Sequence, residues 1–364
     1  MTPSAETDVN KLLKTIELPG LGWTIADVGK VNDVSESGKS VKAHVELGFP
    51  AESRFDAYRA HIAAEITAQT GAKEVEIELS TRIVTHGVQK NLKPLDNVRN
   101  VIAIASGKGG VGKSTVAINV ALALAAEGAS VGLLDADIYG PSQPQMAGLE
   151  GKQPESEDGQ TMEPLQAHGI QLMSIGFLVD PDQPMIWRGP MVTSALNQLL
   201  LQTKWQDLDY LIVDMPPGTG DIQLTLSQQV PVSGAVIVTT PQNIATLDAR
   251  KGLAMFRKVS VPVLGIIENM STHVCSACGH EEPLFGSGGG EQMANDFDVK
   301  LLGQLPLDAR IREQTDSGSP TVVSDPDSAA AAAYRDAATN MAAALAVQAK
   351  DFSSKFPQIV VENS

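Results

Sequence analysis

An apolar, β-branched run, Val101-Ile102-Ala103-Ile104-Ala105-Ser106, feeds directly into Gly107-Lys108-Gly109-Gly110-Val111-Gly112-Lys113-Ser114-Thr115, and a helical stretch follows from Val116 to Ala126. Strand, glycine loop and helix in that order form a phosphate-binding loop (P-loop). Its backbone N–H groups, from Gly107 through Thr115, turn inward around phosphate oxygens, and the helix N-terminus adds partial positive charge. Lys113 is expected to reach the β- and γ-phosphates, and the Ser114 hydroxyl to hold Mg²⁺.

The rest of the chain must supply a sheet for that loop. Six more short apolar runs alternate with helical stretches after it: Val131–Leu134, Ile170–Ile175, Tyr210–Val213, Ala235–Thr239, Val263–Ile267 and Leu301–Leu305. Continuous apolar strands between helices indicate a parallel sheet buried on both faces, hence a three-layer α/β domain. Asp327–Lys350 is alanine-rich and helical, read as a last helix packed on the sheet, with partner binding as the other possibility. Residues 8–85 read as a separate small α/β unit: a helix near Val9–Ile16, a strand at Val41–Leu47, a helix at Phe55–Thr70 and a strand at Glu74–Leu79. The polar stretch Thr85–Asn100, with Pro94, has no sustained period. The expected division is therefore a small domain over 1–85, a linker over 86–98, the P-loop domain over 99–350 and a tail over 351–364.

Two acidic segments suit the phosphate site. Leu133-Leu134-Asp135-Ala136-Asp137 ends the second strand of this domain, and Tyr210-Leu211-Ile212-Val213-Asp214 leads into Met215-Pro216-Pro217-Gly218. Carboxylates at the C-terminal ends of strands lie where open α/β sheets bind ligands. Asp214 is expected in the Mg²⁺ shell, and Asp135 in support of the ion or the loop.

The chain has 364 residues and a net charge of −16, with 43% hydrophobic residues. That is a globular composition, and its sign argues against nucleic acid and anionic membrane as partners. Ordinary solubility and adaptation to high salt both fit so acidic a surface. No apolar run is long enough to cross a membrane, and the first residues show no signal peptide, so the expected location is the cytoplasm.

Only two cysteines occur, as Cys275-Ser276-Ala277-Cys278. Thiolates suit iron–sulfur clusters, zinc or Cu(I), and a four-thiolate site needs twice as many. Two chains could pool their pairs; one chain could recruit His273 and His280 for zinc; a redox pair or an inert pair would need neither.

Lys108, with the loop around it, makes the pattern KGGxGK[ST], which resembles the deviant Walker A group that includes MinD, ParA, Mrp and the nitrogenase iron protein. The resemblance implies a homodimer holding two ATP molecules face to face, with Lys108 reaching the partner's nucleotide. It makes Asp135–Asp137 switch I, with Asp137 positioning the attacking water, and Pro216-Pro217-Gly218 switch II, with Gly218 near the γ-phosphate. Asn269, after the strand ending at Ile267, would contact adenine, with Pro306-Leu307-Asp308 packing on the base. Slow hydrolysis is expected, acting as a conformational timer through the switches.

Ile186-Trp187-Arg188-Gly189-Pro190-Met191, the Asp214–Asp221 stretch, Glu268-Asn269-Met270-Ser271 before the cysteines, and Phe285-Gly286-Ser287-Gly288-Gly289-Gly290 look like Mrp/ApbC proteins over about residues 98–345. This resemblance implies an ATP-dependent carrier whose [4Fe-4S] cluster is held between subunits by Cys275 and Cys278 of each and passed to apo-proteins, with scaffold proteins as further partners. Residues 8–85 resemble the small domain of iron–sulfur assembly factors, though Glu17–Gly22 lacks the usual acidic turn and Gly48–Ser53 lacks a cysteine. The rivals are a zinc-bridged targeting ATPase, which should carry a large Met- or Leu-rich helical insert, and a MinD/ParA-like positioning ATPase, which should end in a basic amphipathic helix. Neither feature is visible in the sequence.

Overall fold

The computed structural model describes residues 8–89, 92–178, 189–275 and 277–353. Parts of the segments singled out above, namely residues 1–7, 90–91, 186–188, 276 and the tail from 354, lie outside the described residues. The described chain divides into two compact units, one running to Gly87 together with the residues from Ala342, the other spanning Val88–Met341.

The first unit contains α1 (Val9–Thr15), α2 (Ile25–Val28), β1 (Gly29–Ser37), β2 (Ser40–Leu47), α3 (Phe55–Thr70) and β3 (Glu74–Thr81). β1 pairs antiparallel with β2, and β2 parallel with β3. The crossover between those parallel strands is α3, which buries Tyr58, Ile62 and Ile66, one residue per turn on a single face. Gly71 ends the helix in the left-handed region, as a C-terminal glycine commonly does. β1 was not expected: Gly-Lys-Val-Asn-Asp-Val-Ser-Glu-Ser has two apolar residues, and none of the nine is fully buried.

The second unit is built on β4 (Val98–Ser106), α4 (Lys113–Ala126), β5 (Val131–Asp135), α5 (Gln143–Met146), β6 (Leu165–Ala167), β7 (Ile170–Ser174), α6 (Gly189–Gln202) and β8 (Leu208–Asp214). It continues with α7 (Asp221–Gln229), β9 (Gly234–Thr239), α8 (Asn243–Lys258), β10 (Val263–Glu268), β11 (His273–Val274), β12 (Glu281–Glu282), α9 (Gly289–Asp296) and β13 (Lys300–Gln304). Helices α10 (Ala309–Asp316) and α11 (Thr321–Ser324) follow, and α12 (Ala329–Ser353) begins in this unit, its residues from Ala342 belonging to the first.

All seven expected apolar runs are strands of one eight-stranded sheet, ordered β13-β10-β9-β4-β8-β5-β7-β6. Every pairing is parallel except that of β6 on the edge with β7. From β4 the chain steps one way, over β8 to β5 and β7; afterwards it steps the other way, through β8, β9, β10 and β13. Right-handed crossovers therefore put α4 on one face and α7 and α8 on the other, the three-layer arrangement. Such a reversal opens a crevice at the C-terminal ends of neighbouring strands, here β4 and β8. The interiors of both strands, short of those ends, are apolar: Ile102, Ala103, Ile104, Leu211, Ile212 and Val213 have no exposed surface.

Candidate functional site

The phosphate loop fills that crevice. Gly112 caps α4 with φ +79°, and Gly110 has φ +81°, both in the left-handed region that side chains disfavour. Close approach adds a second demand: a β-carbon on Gly107 would lie 2.2 Å from the backbone of Asp248 in α8, and one on Gly112 would lie 2.3 Å from Asn269 Nδ2. A cavity of about 230 Å³ lies over the loop, lined by Ser106, Lys108, Gly109, Gly110, Gly112, Lys113, Ser114, Thr115, Asp137, Ser142, Met146 and Pro217.

Beneath the cavity the polar groups are buried and densely connected. Lys113, 5% exposed, pairs through Nζ with Asp214 Oδ1 and lies 3.3 Å from Ser114 Oγ and 3.9 Å from Asp137 Oδ2. Asp135 and Asp214 are register partners at the ends of β5 and β8. Asp135 accepts hydrogen bonds from the backbone of Asp137 (3.1 Å) and Gln143 (3.1 Å) and from Ser174 Oγ (3.0 Å). Its burial, with the Asp214 charge beside it, pushes its carboxyl up to about 7. Burial also raises Asp137, and the Lys113 ammonium opposes that rise. Gly218, φ +97°, donates its N–H to the Ser106 carbonyl at 3.0 Å, bringing the segment after β8 alongside the loop.

Gln143 was not expected. Fully buried at the start of α5, it donates through Nε2 to Asp214 Oδ2 (2.9 Å) and to the Ser114 carbonyl (3.1 Å). Its Oε1 is buried with no partner among the described residues. A glutamine in a loop has no spacing signal; only its position, six residues after Asp137, was there to be read. Asn269 lies behind the loop, its Nδ2 donating to the Val111 carbonyl at 2.9 Å. Lys108 is half-buried on the cavity wall with no carboxylate within 4 Å among the described residues.

The cysteines do not line that cavity. They sit on a two-stranded hairpin in which His273 and Val274 pair with Glu282 and Glu281. Cys275 N donates to the His280 carbonyl (2.9 Å) and Gly279 N to the Cys275 carbonyl (2.8 Å), closing a tight turn with Gly279 at φ +72°. Cys278 is exposed and Cys275 half-buried. The Ala277 N–H, then that of Cys278, points at the Cys275 sulfur and holds its thiol below the usual range. His273 is turned away, its Nδ1 3.0 Å from the Leu307 carbonyl, and no cluster of three or more metal-ligating side chains occurs among the described residues.

The family model described as NUBPL iron-transfer P-loop NTPase matches residues 97–342. The chain belongs to that family. A second model, described as iron–sulfur cluster assembly protein, matches residues 6–79. Among relatives, the "Iron-sulfur cluster carrier protein" of Escherichia coli K12 is 56% identical over 304 residues, 83% of this chain and 82% of the relative. The protein of that name in Haemophilus influenzae is 48% identical, covering 92% and 90%. The mouse "Iron-sulfur cluster transfer protein NUBPL" is 55% identical, covering 70% and 80%. A nucleotide-binding protein of Archaeoglobus fulgidus, solved with ADP, superposes with a TM-score of 0.55 at 38% identity, over 61% of this chain and 88% of that one. The Pyrococcus furiosus cell-division ATPase MinD shares the fold, with a TM-score of 0.50 at 22% identity, over 66% and 98%. Among the described residues no helix is long and apolar enough to cross a membrane.

Proposed function

We propose that this chain is an ATP-dependent iron–sulfur cluster carrier, binding a [4Fe-4S] cluster as cargo on Cys275 and Cys278 and passing it to apo-proteins. The observation that carries this reading is the pairing, in one NTPase unit, of a phosphate site with a two-thiol hairpin whose backbone N–H groups favour the Cys275 thiolate. Relatives named for cluster carriage and transfer, matched over most of their length, support it.

The donor set suits Mg-ATP. Ser114 Oγ and Asp214 offer hard oxygens beside Lys113, and Gln143, which donates to Asp214, has an Oε1 without a partner among the described residues; Mg²⁺, when bound there, would supply charge neutralisation. Gly107 through Thr115 cradle the phosphates, Asp135 holds the loop after β5, Asp137 orients water, and Gly218 meets the γ-phosphate. Positioning and charge do most of the work in phosphoryl transfer; the turnover is slow, with hydrolysis acting as a timer through the switches. Asn269, fixed against the loop, contacts adenine.

Two thiols per chain leave half a cluster's ligands unmet. A second copy supplies the other pair, and Lys108, with no carboxylate within 4 Å among the described residues, reaches the partner's nucleotide. A small domain over 1–85, a linker over 86–98, the P-loop domain over 99–350 and a tail over 351–364, with docking of apo-proteins and scaffold proteins on the small domain and a cytoplasmic location, complete the reading. The exposed thiol and the oxygen-sensitive cargo both favour a reducing compartment.

The test is iron, sulfide and zinc content of anoxically purified protein, beside a Cys275→Ser/Cys278→Ser variant. Four iron and four sulfide per dimer, absent from the variant, is the expected result. Stoichiometric zinc without sulfide, persisting after iron–sulfur reconstitution, would sink the cargo assignment.

A further inference from the structure

We infer that Glu268-Asn269-Met270-Ser271 is a positioning latch that couples the phosphate loop to the cysteine hairpin, so that nucleotide binding alters access to Cys275 and Cys278. The inference rests on the two-site reading above and adds the residues that connect the sites.

Glu268, the last residue of β10, has no exposed surface. Its Oε1 accepts from Ser271 Oγ (3.0 Å) and Gln304 Nε2 (2.9 Å), and its Oε2 from the Gly290 N–H (2.6 Å). Ser271 and Gly290 lie on either side of the hairpin in sequence, so one carboxylate ties down both ends of the segment that carries the cysteines. No cation lies within 4 Å of it among the described residues. A buried carboxylate held by neutral donors alone depends on every one of them. The approach leaves no slack: a β-carbon on Gly290 would lie 2.9 Å from Glu268 Cβ and 3.0 Å from its Oε2.

The next two residues pack against the phosphate loop. Asn269 anchors its N–H on the Thr239 carbonyl (2.7 Å) and donates through Nδ2 to Val111 in the phosphate loop (2.9 Å). Met270 adopts φ +59°, a conformation costly for an unbranched side chain. Its Cε would lie 3.5 Å from a β-carbon on Gly112. Beyond it, Ser271 N donates to the Leu305 carbonyl (2.9 Å), Leu307 N to the Thr272 carbonyl (2.9 Å), and His273 Nδ1 lies 3.0 Å from the Leu307 carbonyl. A displacement of Val111 and Gly112 is thus passed on, within two residues and through fixed contacts, to the base of the hairpin.

The experiment uses the full chain, freed of metal and reduced. The rate at which iodoacetamide alkylates the cysteines is measured with and without Mg²⁺ and a non-hydrolysable ATP analogue, in wild type, Ser271→Ala and Glu268→Gln. Saturating analogue should change the wild-type rate by about 5-fold or more, the lower end of ordinary coupling between sites. In both variants the analogue should bind within about threefold of wild type, while its effect on alkylation falls below about 1.5-fold. A purely structural role would shift the rates with and without analogue together and leave their ratio intact. Variants that keep the wild-type ratio, or a wild-type ratio of one, would overturn the latch. If Glu268→Gln does not fold, Ser271→Ala carries the test alone, since it keeps the carboxylate and its other two donors. The readout needs no iron, so failure of the cargo assignment, seen in metal analysis, stays separate from failure of the latch.

Discussion

Cys275 shows how much a single side chain owes to the backbone around it. The Ala277 and Cys278 N–H groups aim at its sulfur, and stabilising the thiolate lowers the pKa. In a Cys278→Ser variant those two donors remain, so the pH midpoint for Cys275 alkylation should lie below the ordinary value of about 8.5. The same variant unfolded in urea should return to about 8.5, because the turn that aims the donors is gone. Mass-spectrometric rate profiles in the two conditions provide the check, and coincident midpoints would refute the assignment. The CxxC spacing announced metal chemistry, but the aimed amides belong to a hairpin too short to read: β11 and β12 are two residues each. The glycines divide similarly. Gly110 and Gly112 follow from the loop motif, whereas the need for glycine at position 290 comes from Glu268, a tertiary neighbour that no local pattern names.

At the scale of elements, the sheet was open to reading because its strands are buried on both faces. A strand such as β9, Gly-Ala-Val-Ile-Val-Thr, is buried at all six positions and stands out between amphipathic helices. Elements without that signature were missed: β1 is half-exposed and charged, and β6 is a three-residue edge strand added antiparallel. The order of strands was beyond local pattern as well, since it depends on which way each crossover turns. That order brings α5 under the site and puts Gln143 against Asp214. Outer partners of metal and phosphate ligands commonly contribute 10–100-fold, so Gln143→Ala should lower Mg-dependent ATP turnover by about that factor. Steady-state ATPase assays, with circular dichroism to confirm an intact fold, would show it; unchanged turnover would reduce Gln143 to packing.

For the whole molecule, the net charge of −16 disfavours nucleic acid and anionic lipid as partners, and the two-thiol set is what motivates the proposed dimer. Light scattering with Mg²⁺ and a non-hydrolysable ATP analogue should give a dimer for wild type and a monomer for Lys108→Ala, because that lysine is assigned to the partner's nucleotide. A Lys108→Ala protein that dimerises as wild type would remove it from the interface. The central claim, however, is carriage, and its most direct measurement is transfer. Cluster-loaded protein is mixed anoxically with an apo-dehydratase that needs a [4Fe-4S] cluster, in the presence of a chelator that traps free iron. The dehydratase should gain activity despite the chelator, and the Cys275→Ser/Cys278→Ser variant should confer none. Activation abolished by the chelator, or matched by the variant, would contradict it.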